Sequence, residues 1–213
     1  MQKKVYFFDM DGTLIDSMSL AWEKVIFKYL DDRAIQYDKD IILDIVTKGF
    51  MGISKHFVEK LGVQQTPQQL YDYFMQALEP MYQNEFPLKE GAIEIIKKFK
   101  SEGAIVHVIS GRPLLFVIPC FIRLGLYGLF DNICSLEDFK LTKADKELFV
   151  KLAEKMEVAP TDCVLIDDSV NAIKTAKSVG YQTIGVYEVM VKNGWEEMLS
   201  VADKTIMSFA ELT

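Results

Sequence analysis

The sequence has 213 residues, of which 50% are hydrophobic and 26% are charged. A domain usually takes roughly 100–200 residues, so we expect one large domain or one core with a small accessory module. With 24 Lys and Arg against 31 Asp and Glu, the formal net charge is −7. This balance argues against a general nucleic-acid-binding protein, which needs clustered basic residues, but it leaves room for a small phosphorylated ligand.

The three cysteines, Cys120, Cys134 and Cys163, include no Cys-x-x-Cys pair and predict buried, reduced thiols. Before Asp9 there is only a short apolar run, where a signal peptide needs about 7–15 apolar residues. The longest apolar stretch, 113–122, falls short of the ~18 residues of a membrane span. We therefore expect a cytoplasmic protein with no membrane association, as a monomer or a weak dimer.

Short, continuous apolar runs predict strands that are buried on both faces, as in a parallel sheet. The runs are, in chain order, 5–8, 105–109, 132–134, 163–166, 183–186 and 205–207, with 132–134 and 205–207 the weaker candidates. Apolar residues at helical spacing lie between them, and Thr142 with Asp145 resembles a capping box at one helix start. Strands alternating with helices predict an α/β fold, a three-layer sandwich with a Rossmann-like parallel sheet.

Residues 16–85 interrupt this alternation, since the apolar residues there have helical spacing throughout. Pro67 and Pro80 are expected to mark helix boundaries in this segment. We therefore divide the chain into an α/β core domain, residues 1–15 and 86–213, and an inserted small α-helical cap domain, residues 16–85.

Polar residues that are expensive to bury follow three of the predicted strands: Asp9 and Asp11, Ser110, and Asp167 and Asp168. Ligands of open α/β sheets bind at the carboxyl ends of the strands, so these residues should converge on one crevice. Clustered carboxylates repel each other unless a cation or a shared proton intervenes. Carboxylates, carbonyls and water are the ligands of a hard divalent ion, so the sequence predicts a Mg²⁺ site.

Four segments at these positions resemble, in order, the motifs of the haloacid dehalogenase-like hydrolase superfamily, in the branch of phosphoglycolate phosphatases and β-phosphoglucomutases. They are Asp9-Met10-Asp11-Gly12-Thr13-Leu14, then Ser110-Gly111, then Lys143 within 143–149, and Val164-Leu165-Ile166-Asp167-Asp168-Ser169. The helical insertion matches the cap of that family, placed directly after the first motif. Both prolines of the third motif are replaced, by Ala144 and Lys146, which leaves Lys146 as a rival to Lys143.

The resemblance implies a role for each matched position. Asp9 would be the nucleophile that forms an aspartyl-phosphate, and Asp11 would be the general acid and base. Ser110 with Gly111 would grip the phosphoryl oxygens, and Lys143 would balance the negative charge of Asp9 and the phosphate.

The same resemblance implies the magnesium ligands. Mg²⁺ would be held by a carboxylate oxygen of Asp9, the backbone carbonyl of Asp11 and the carboxylate of Asp168. Asp167 would bind the metal directly, bind it through a water molecule, or orient the residues that bind it.

Several other residues have two interpretations. Arg112 either binds a substrate anion or forms a surface salt bridge. The polar patch of the insertion is either a substrate-specificity loop or a solvated helix end; it comprises Lys48, Gly49, Gly52, Lys55 and His56. Trp22, Phe50 and Met51 either wall the substrate pocket or form the core of the cap. We expect His107 to be a hydrogen-bonded core histidine.

The leading hypothesis is a Mg²⁺-dependent phosphatase that hydrolyses a small phosphorylated metabolite through an aspartyl-phosphate. The first alternative is a phosphosugar mutase that uses the same nucleophile, because the two reactions share every core motif. A non-catalytic metabolite-binding protein is the alternative from another class.

Overall fold

The computed structural model describes residues 3–213, without the side chains of residues 43, 44 and 47. It contains every strand expected from the apolar runs. The strands are β1 (Val5–Phe8), β2 (Ile105–Ser110), β3 (Asn132–Ser135), β4 (Cys163–Asp167), β5 (Gln182–Val186) and β6 (Lys204–Ile206). They form one parallel sheet in the order β3-β2-β1-β4-β5-β6.

Helices occupy most of the remaining chain. The α-helices are α1 (Met18–Ala21), α2 (Lys28–Asp31), α3 (Lys39–Asp44), α4 (Gly49–Lys60), α5 (Pro67–Asn84), α6 (Ala92–Ser101), α7 (Leu114–Arg123), α8 (Lys146–Lys155), α9 (Val170–Ser178) and α10 (Trp195–Val201). A π-helical segment, Trp22–Phe27, joins α1 to α2. Short 3₁₀ turns include Val46–Lys48 and Val189–Gly194.

The sheet is covered on both faces, which makes three layers. Successive residues of a strand point to opposite faces. Phe7 and Leu165 therefore pack into one core with the apolar residues of α8 and α9. Phe8 and Ile166 pack into the other core with α6 and α7. The three-layer α/β sandwich predicted from the continuous apolar runs is confirmed.

The helical insertion lies between β1 and β2, and residues 18–84 contain only helices and loops. The chain leaves and re-enters the core through two paired segments. The Asp16 N–H donates to the Pro87 carbonyl at 2.9 Å, and the Lys89 N–H donates to the Leu14 carbonyl at 2.9 Å. These crossings adjoin the expected boundaries at residues 16 and 85, but the division into two domains stays a prediction.

One helix of the insertion is longer than expected. Pro67 begins α5, and Thr66 caps it in a capping box, but Pro80 lies inside the helix instead of ending it. An interior proline costs about 3 kcal/mol. Burial of Leu78, Met81 and Tyr82 on either side of Pro80 offsets this cost, so packing overrides the local signal.

The helix that follows the third motif begins later than expected. Thr142 and Asp145 do bond to each other, with 2.7 Å between the Thr142 hydroxyl and an Asp145 carboxylate oxygen. The helix, α8, nevertheless starts at Lys146. Lys143 therefore lies in the loop before α8, where its side chain reaches toward the strand ends.

His107 differs from expectation in one respect. Its side chain lies in the core beside Phe7, with 5.4 Å between the ring centroids. Neither ring nitrogen has a hydrogen-bond partner among the described residues. Burial lowers the pKa of His107, which favours the neutral form of the ring in the folded protein.

Replacing His107 with leucine should stabilise the protein, most of all at mildly acidic pH. A buried unsatisfied polar group costs about 1–3 kcal/mol. Because the pKa of His107 is lowered in the folded state, the unfolded chain binds the proton more readily, and stability falls as the pH drops through about 6.5. Thermal melts at pH 7 and pH 5 should show a smaller acid-induced loss in His107→Leu. The His56→Gln control should keep most of that loss, and an unchanged loss in His107→Leu would contradict the argument.

Two further expectations concern the cysteines and the membrane. Cys120, Cys134 and Cys163 are buried free thiols, as predicted. Across residues 3–213, no helix combines the length and the apolar character that crossing a bilayer demands.

Candidate active site

The carboxyl ends of the strands open into a cavity of about 830 Å³. This volume is within the usual range for a small-molecule site, about 300–1,000 Å³. Core residues that line it include Asp9, Asp11, Lys143, Asp167 and Asp168. The convergence predicted from the strand ends is therefore present for the acidic residues, and Lys143, which the motif resemblance singled out, lines the same cavity.

The loop after β1 is shaped to bring the first motif against the fourth. The Asp9 N–H donates to the Ile166 carbonyl at 2.9 Å, which continues the pairing of β1 with β4. Gly12 has φ +81°, a left-handed conformation that favours glycine. A Cβ at Gly12 would lie 2.4 Å from Oδ2 of Asp168, so only glycine leaves room for that carboxylate.

Three buried carboxylates form the centre of the site. Asp9, Asp167 and Asp168 each offer an oxygen, and these oxygens lie within 4.8 Å of one another. The Lys143 ammonium bonds to Asp9 and, at 2.6 Å, to Asp167 Oδ2. The rival lysine, Lys146, is exposed on α8. Lys143 is thus the lysine that the fold brings to the carboxylates.

The pKa values in this cluster are shifted because three carboxylates are buried beside a single ammonium group. Burial raises the pKa of Asp9 to about 7, against the opposing charge of Lys143. Burial and the charges of Asp9 and Asp167 together raise the pKa of Asp168 well above its usual value. Burial alone would lower the pKa of Lys143, but Asp167 and Asp9 outweigh it and raise that pKa. Three carboxylates and one ammonium leave two negative charges uncompensated when all are ionised.

This donor set fits a hard divalent cation. Carboxylate oxygens at short mutual distances are the ligands that Mg²⁺ prefers, and the uncompensated charge of the cluster matches that of the ion. The Asp11 carboxylate is not part of the cluster, and the binding of metal by its backbone carbonyl stays a prediction.

The Asp11 side chain is instead held by three donors. Its Oδ1 accepts hydrogen bonds from the Ser17 hydroxyl at 2.7 Å and from the Tyr82 hydroxyl at 2.6 Å. Its Oδ2 accepts from Arg112 Nε at 3.2 Å. Tyr82 belongs to α5, 71 residues further along the chain, so Asp11 is tied directly to the helical insertion.

The sequence left Arg112 either as a ligand of a substrate anion or in a surface salt bridge, and the structure shows a third arrangement. It forms a salt bridge, but with the site residue Asp11, and only 17% of its side chain is exposed. Its Nε also donates to the Tyr82 hydroxyl at 2.9 Å, and its guanidinium carbon lies 4.6 Å from the centre of the Phe50 ring. Arg112 still lines the cavity, so it stays within reach of a bound anion.

The second motif is divided between the cavity wall and the layer behind it. Gly111 lines the cavity. The Ser110 side chain is buried, and its hydroxyl accepts the Arg112 N–H at 3.1 Å. The contact of Ser110 with a phosphoryl group therefore remains a prediction, while its observed contact orders the loop that carries Arg112.

The insertion supplies the opposite wall of the cavity. Its lining residues are Met18, Val46, Lys48, Gly49, Phe50, Met51 and Tyr71. From the polar patch, Lys48 and Gly49 reach the cavity, whereas Gly52, Lys55 and His56 are not among its lining residues. Phe50 and Met51 line it, and Trp22 belongs to the core of the insertion.

Tyr82 and Ser17 were not identified from the sequence. Tyr82 sits in the buried apolar face of α5, where nothing in the spacing distinguishes it from a packing residue. Ser17 precedes α1 and looks like an ordinary helix start. Only the folded chain places both hydroxyls on Asp11.

Comparisons with known proteins give the family of this chain. The family model of the haloacid dehalogenase-like hydrolases matches residues 3–180. The chain is 26% identical over 212 residues to hexitol phosphatase B of Escherichia coli, covering 97% of this chain and 92% of the relative. It is 25% identical over 183 residues to the fructose-1-phosphate phosphatase YqaB of the same organism, covering 84% and 94%.

The fold is also shared with solved structures. CbbY from Rhodobacter sphaeroides in complex with phosphate superposes with a TM-score of 0.82, over 99% of this chain and 96% of the other. At 19% sequence identity this likeness concerns the fold alone.

Proposed function

Because the chain belongs to the haloacid dehalogenase-like hydrolases, we propose that it is a Mg²⁺-dependent phosphatase working through an aspartyl-phosphate on Asp9. Its relatives named above are phosphatases, and the chain is a phosphoric monoester hydrolase that acts on phosphorylated small molecules. The position of the Asp9 carboxylate supports the proposed nucleophile and metal site. This carboxylate lines the large cavity, pairs with Lys143 and lies beside Asp167 and Asp168.

In the first step, an Asp9 oxygen would attack the phosphorus of the substrate. The new bond between Asp9 and phosphorus forms as the ester bond breaks, and the leaving oxygen takes a proton from Asp11. Lys143 would offset the negative charge that Asp9 shares with the phosphoryl group. Phosphoryl transfer depends mainly on such positioning and charge compensation, so few groups are required.

In the second step, Asp11 would act in the opposite sense. It takes a proton from a water molecule, whose oxygen attacks the phosphorus, and the bond to Asp9 breaks to give free phosphate. In the observed conformation both Asp11 oxygens already accept hydrogen bonds. Oδ2 accepts only one of them. Since an ionised carboxylate has about four acceptor sites, Oδ2 keeps one at which Asp11 would exchange a proton with substrate or water.

Asp9, Asp168 and the Asp11 backbone carbonyl are the proposed magnesium ligands, with Asp167 beside them and bound to Lys143. When bound, Mg²⁺ supplies positive charge that lowers the repulsion between the carboxylates and the phosphoryl group.

Removing divalent metal with EDTA should abolish turnover, and Mg²⁺ should restore it. Ca²⁺ should restore little, because its longer bonds and looser geometry misplace the phosphorus relative to Asp9. Mg²⁺ should also raise the thermal midpoint of the wild type and of Asp16→Asn, but not that of Asp168→Asn. Full turnover in metal-free buffer would contradict the site assignment.

The mutase alternative is not favoured, because the curated relatives described above are phosphatases. Their names also suggest where to look for the substrate of this chain. We propose a screen of hexitol, hexose and pentose phosphates and 2-phosphoglycolate with Mg²⁺. Release of free phosphate supports a phosphatase, whereas an isomeric sugar phosphate would indicate a mutase. No turnover of any ester would favour a binding protein.

Lys48 and Lys55 form a natural pair for testing the cap wall, since Lys48 lines the cavity and Lys55 does not. We expect Lys48→Met to change the preference among substrates by about tenfold, the order of one lost charged hydrogen bond. Hydrolysis of p-nitrophenyl phosphate should change less. Lys55→Met should leave both unchanged. The comparison requires kcat/KM for two esters in each variant, and equal losses on both esters in Lys48→Met would indicate a stability effect instead.

A further inference from the structure

A second cavity, of about 360 Å³, lies where the helical insertion joins the core. Its lining includes Asp16 and Lys89 from the two crossing segments and Glu188 from the segment after β5. Lys89 and Glu188 form a salt bridge there, with 2.7 Å between Nζ and Oε2. No step of the proposed reaction uses these two residues.

This salt bridge is buried. The Glu188 side chain is 2% exposed and that of Lys89 is 19% exposed. By contrast, the surface pair Lys151–Glu147 has the same 2.7 Å separation with both side chains about half exposed. Burying two charges carries a large desolvation cost, so a buried pair is weak evidence for stability. What the salt bridge does contribute is a fixed orientation of the two segments that it joins.

The pair joins two parts of the chain that are distant in sequence. On one side, the Lys89 backbone pairs with Leu14 in the crossing segments. On the other side, Lys89 Nζ also donates to the Tyr187 carbonyl at 3.2 Å. Glu188 Oε1 accepts the Met190 N–H at 3.2 Å. The salt bridge therefore ties the crossing segments to the beginning of the 3₁₀ turn Val189–Gly194.

That turn is part of the active-site wall. Met190, Val191, Asn193 and Gly194 all line the large cavity. The turn also contacts α1, α3 and the 3₁₀ turn Val46–Lys48 of the insertion. It is thus a core segment that both contacts the insertion and lines the substrate space.

We propose that Lys89 and Glu188 are positioning residues that set substrate specificity. Their salt bridge fixes the turn Val189–Gly194 against the insertion and so defines the shape of the substrate space, without touching the reacting atoms. This inference rests on the proposed phosphatase function for its kinetic consequence, but the positioning itself does not depend on that function.

The test uses the double variant Lys89→Met/Glu188→Gln, which removes both charges and leaves neither one buried without its partner. The glutamine keeps an oxygen for the Met190 N–H. The matched control is Lys151→Met/Glu147→Gln on the exposed pair. Each protein is assayed with p-nitrophenyl phosphate and with the best sugar phosphate or hexitol phosphate from the screen. Hydrogen exchange is measured on the backbone amides of residues 189–194.

In the Lys89/Glu188 double variant, we expect the preference for the metabolite over p-nitrophenyl phosphate, as a ratio of kcat/KM, to fall at least tenfold. The kcat for p-nitrophenyl phosphate should stay within twofold of wild type, and exchange at 189–194 should accelerate. Lys89→Arg, which retains the charge, should keep most of the preference. The Lys151/Glu147 control should match wild type in all three measurements.

An unchanged preference in the folded double variant would overturn the proposal, as would equal losses on both esters. If the wild type hydrolyses no ester at all, it is the proposed function that fails. Hydrogen exchange then decides the positioning separately, since an unchanged exchange rate at 189–194 would overturn it.

Discussion

Asp9→Asn should lose nearly all turnover while keeping the fold. An amide is a poor nucleophile and a poor metal ligand, and removal of a catalytic nucleophile typically costs about four orders of magnitude or more in kcat. The structure adds a second expectation. Asp9 is one of three crowded carboxylates, so its loss relieves repulsion, and Lys143 retains Asp167 as a partner. The thermal midpoint in metal-free buffer should therefore stay the same or rise.

The measurements for Asp9→Asn are steady-state kinetics with p-nitrophenyl phosphate, circular dichroism and a thermal melt. Asp16→Asn is the matched control, because Asp16 is an exposed aspartate in the same segment of the chain. It should keep wild-type turnover. Substantial activity in a correctly folded Asp9→Asn protein would remove Asp9 from the role of nucleophile.

Asp11→Asn should slow turnover by an amount that depends on the leaving group. General acid–base catalysis typically contributes about 10²–10⁴-fold, so kcat for a sugar phosphate should fall by that order. An aryl phosphate leaves with less need of a proton, so its first step should suffer less. An asparagine oxygen can still accept from Tyr82 and Ser17, so two of the three contacts are kept. The amide nitrogen cannot accept from Arg112 Nε, so that contact is lost.

The check is to compare kcat and Mg²⁺ binding for a sugar phosphate and p-nitrophenyl phosphate in wild type and Asp11→Asn. Loss of Mg²⁺ binding, or an equal slowing of both esters with no accumulated phosphoenzyme, would assign Asp11 a structural role. Tyr82→Phe is an informative companion, because it removes one donor to Asp11 and leaves the carboxylate in place.

The strand ends were predictable because each is marked by neighbouring residues in the sequence. A buried parallel strand reads as a continuous apolar run, and a polar residue directly after it must lie at the edge of the sheet. This reasoning located Asp9, Asp167 and Asp168, and the motif order identified the family. Lys143 was located by its resemblance to the third motif, although the helix beside it starts later than the capping pattern suggested.

The contacts between distant segments were not predictable in this way. Two of the three partners of Asp11 come from α5 and from the loop after β2, and no spacing rule connects them. Similarly, Pro80 continues a helix because its neighbours are buried, and the ring nitrogens of His107 have no hydrogen-bond partner among the described residues. Each of these outcomes depends on tertiary packing, which a local pattern does not contain.

The proposed mechanism requires a covalent phosphoryl group on Asp9, and mass spectrometry can detect that group directly. Asp11→Asn is mixed with p-nitrophenyl phosphate and Mg²⁺, quenched in acid within the first turnover, digested and analysed by mass spectrometry. Because this variant lacks the group that activates water, the phosphoryl-enzyme should accumulate, with the added mass on the peptide that contains Asp9. A phosphoryl group on another residue, or rapid release of nitrophenol with no labelled peptide, would contradict the mechanism.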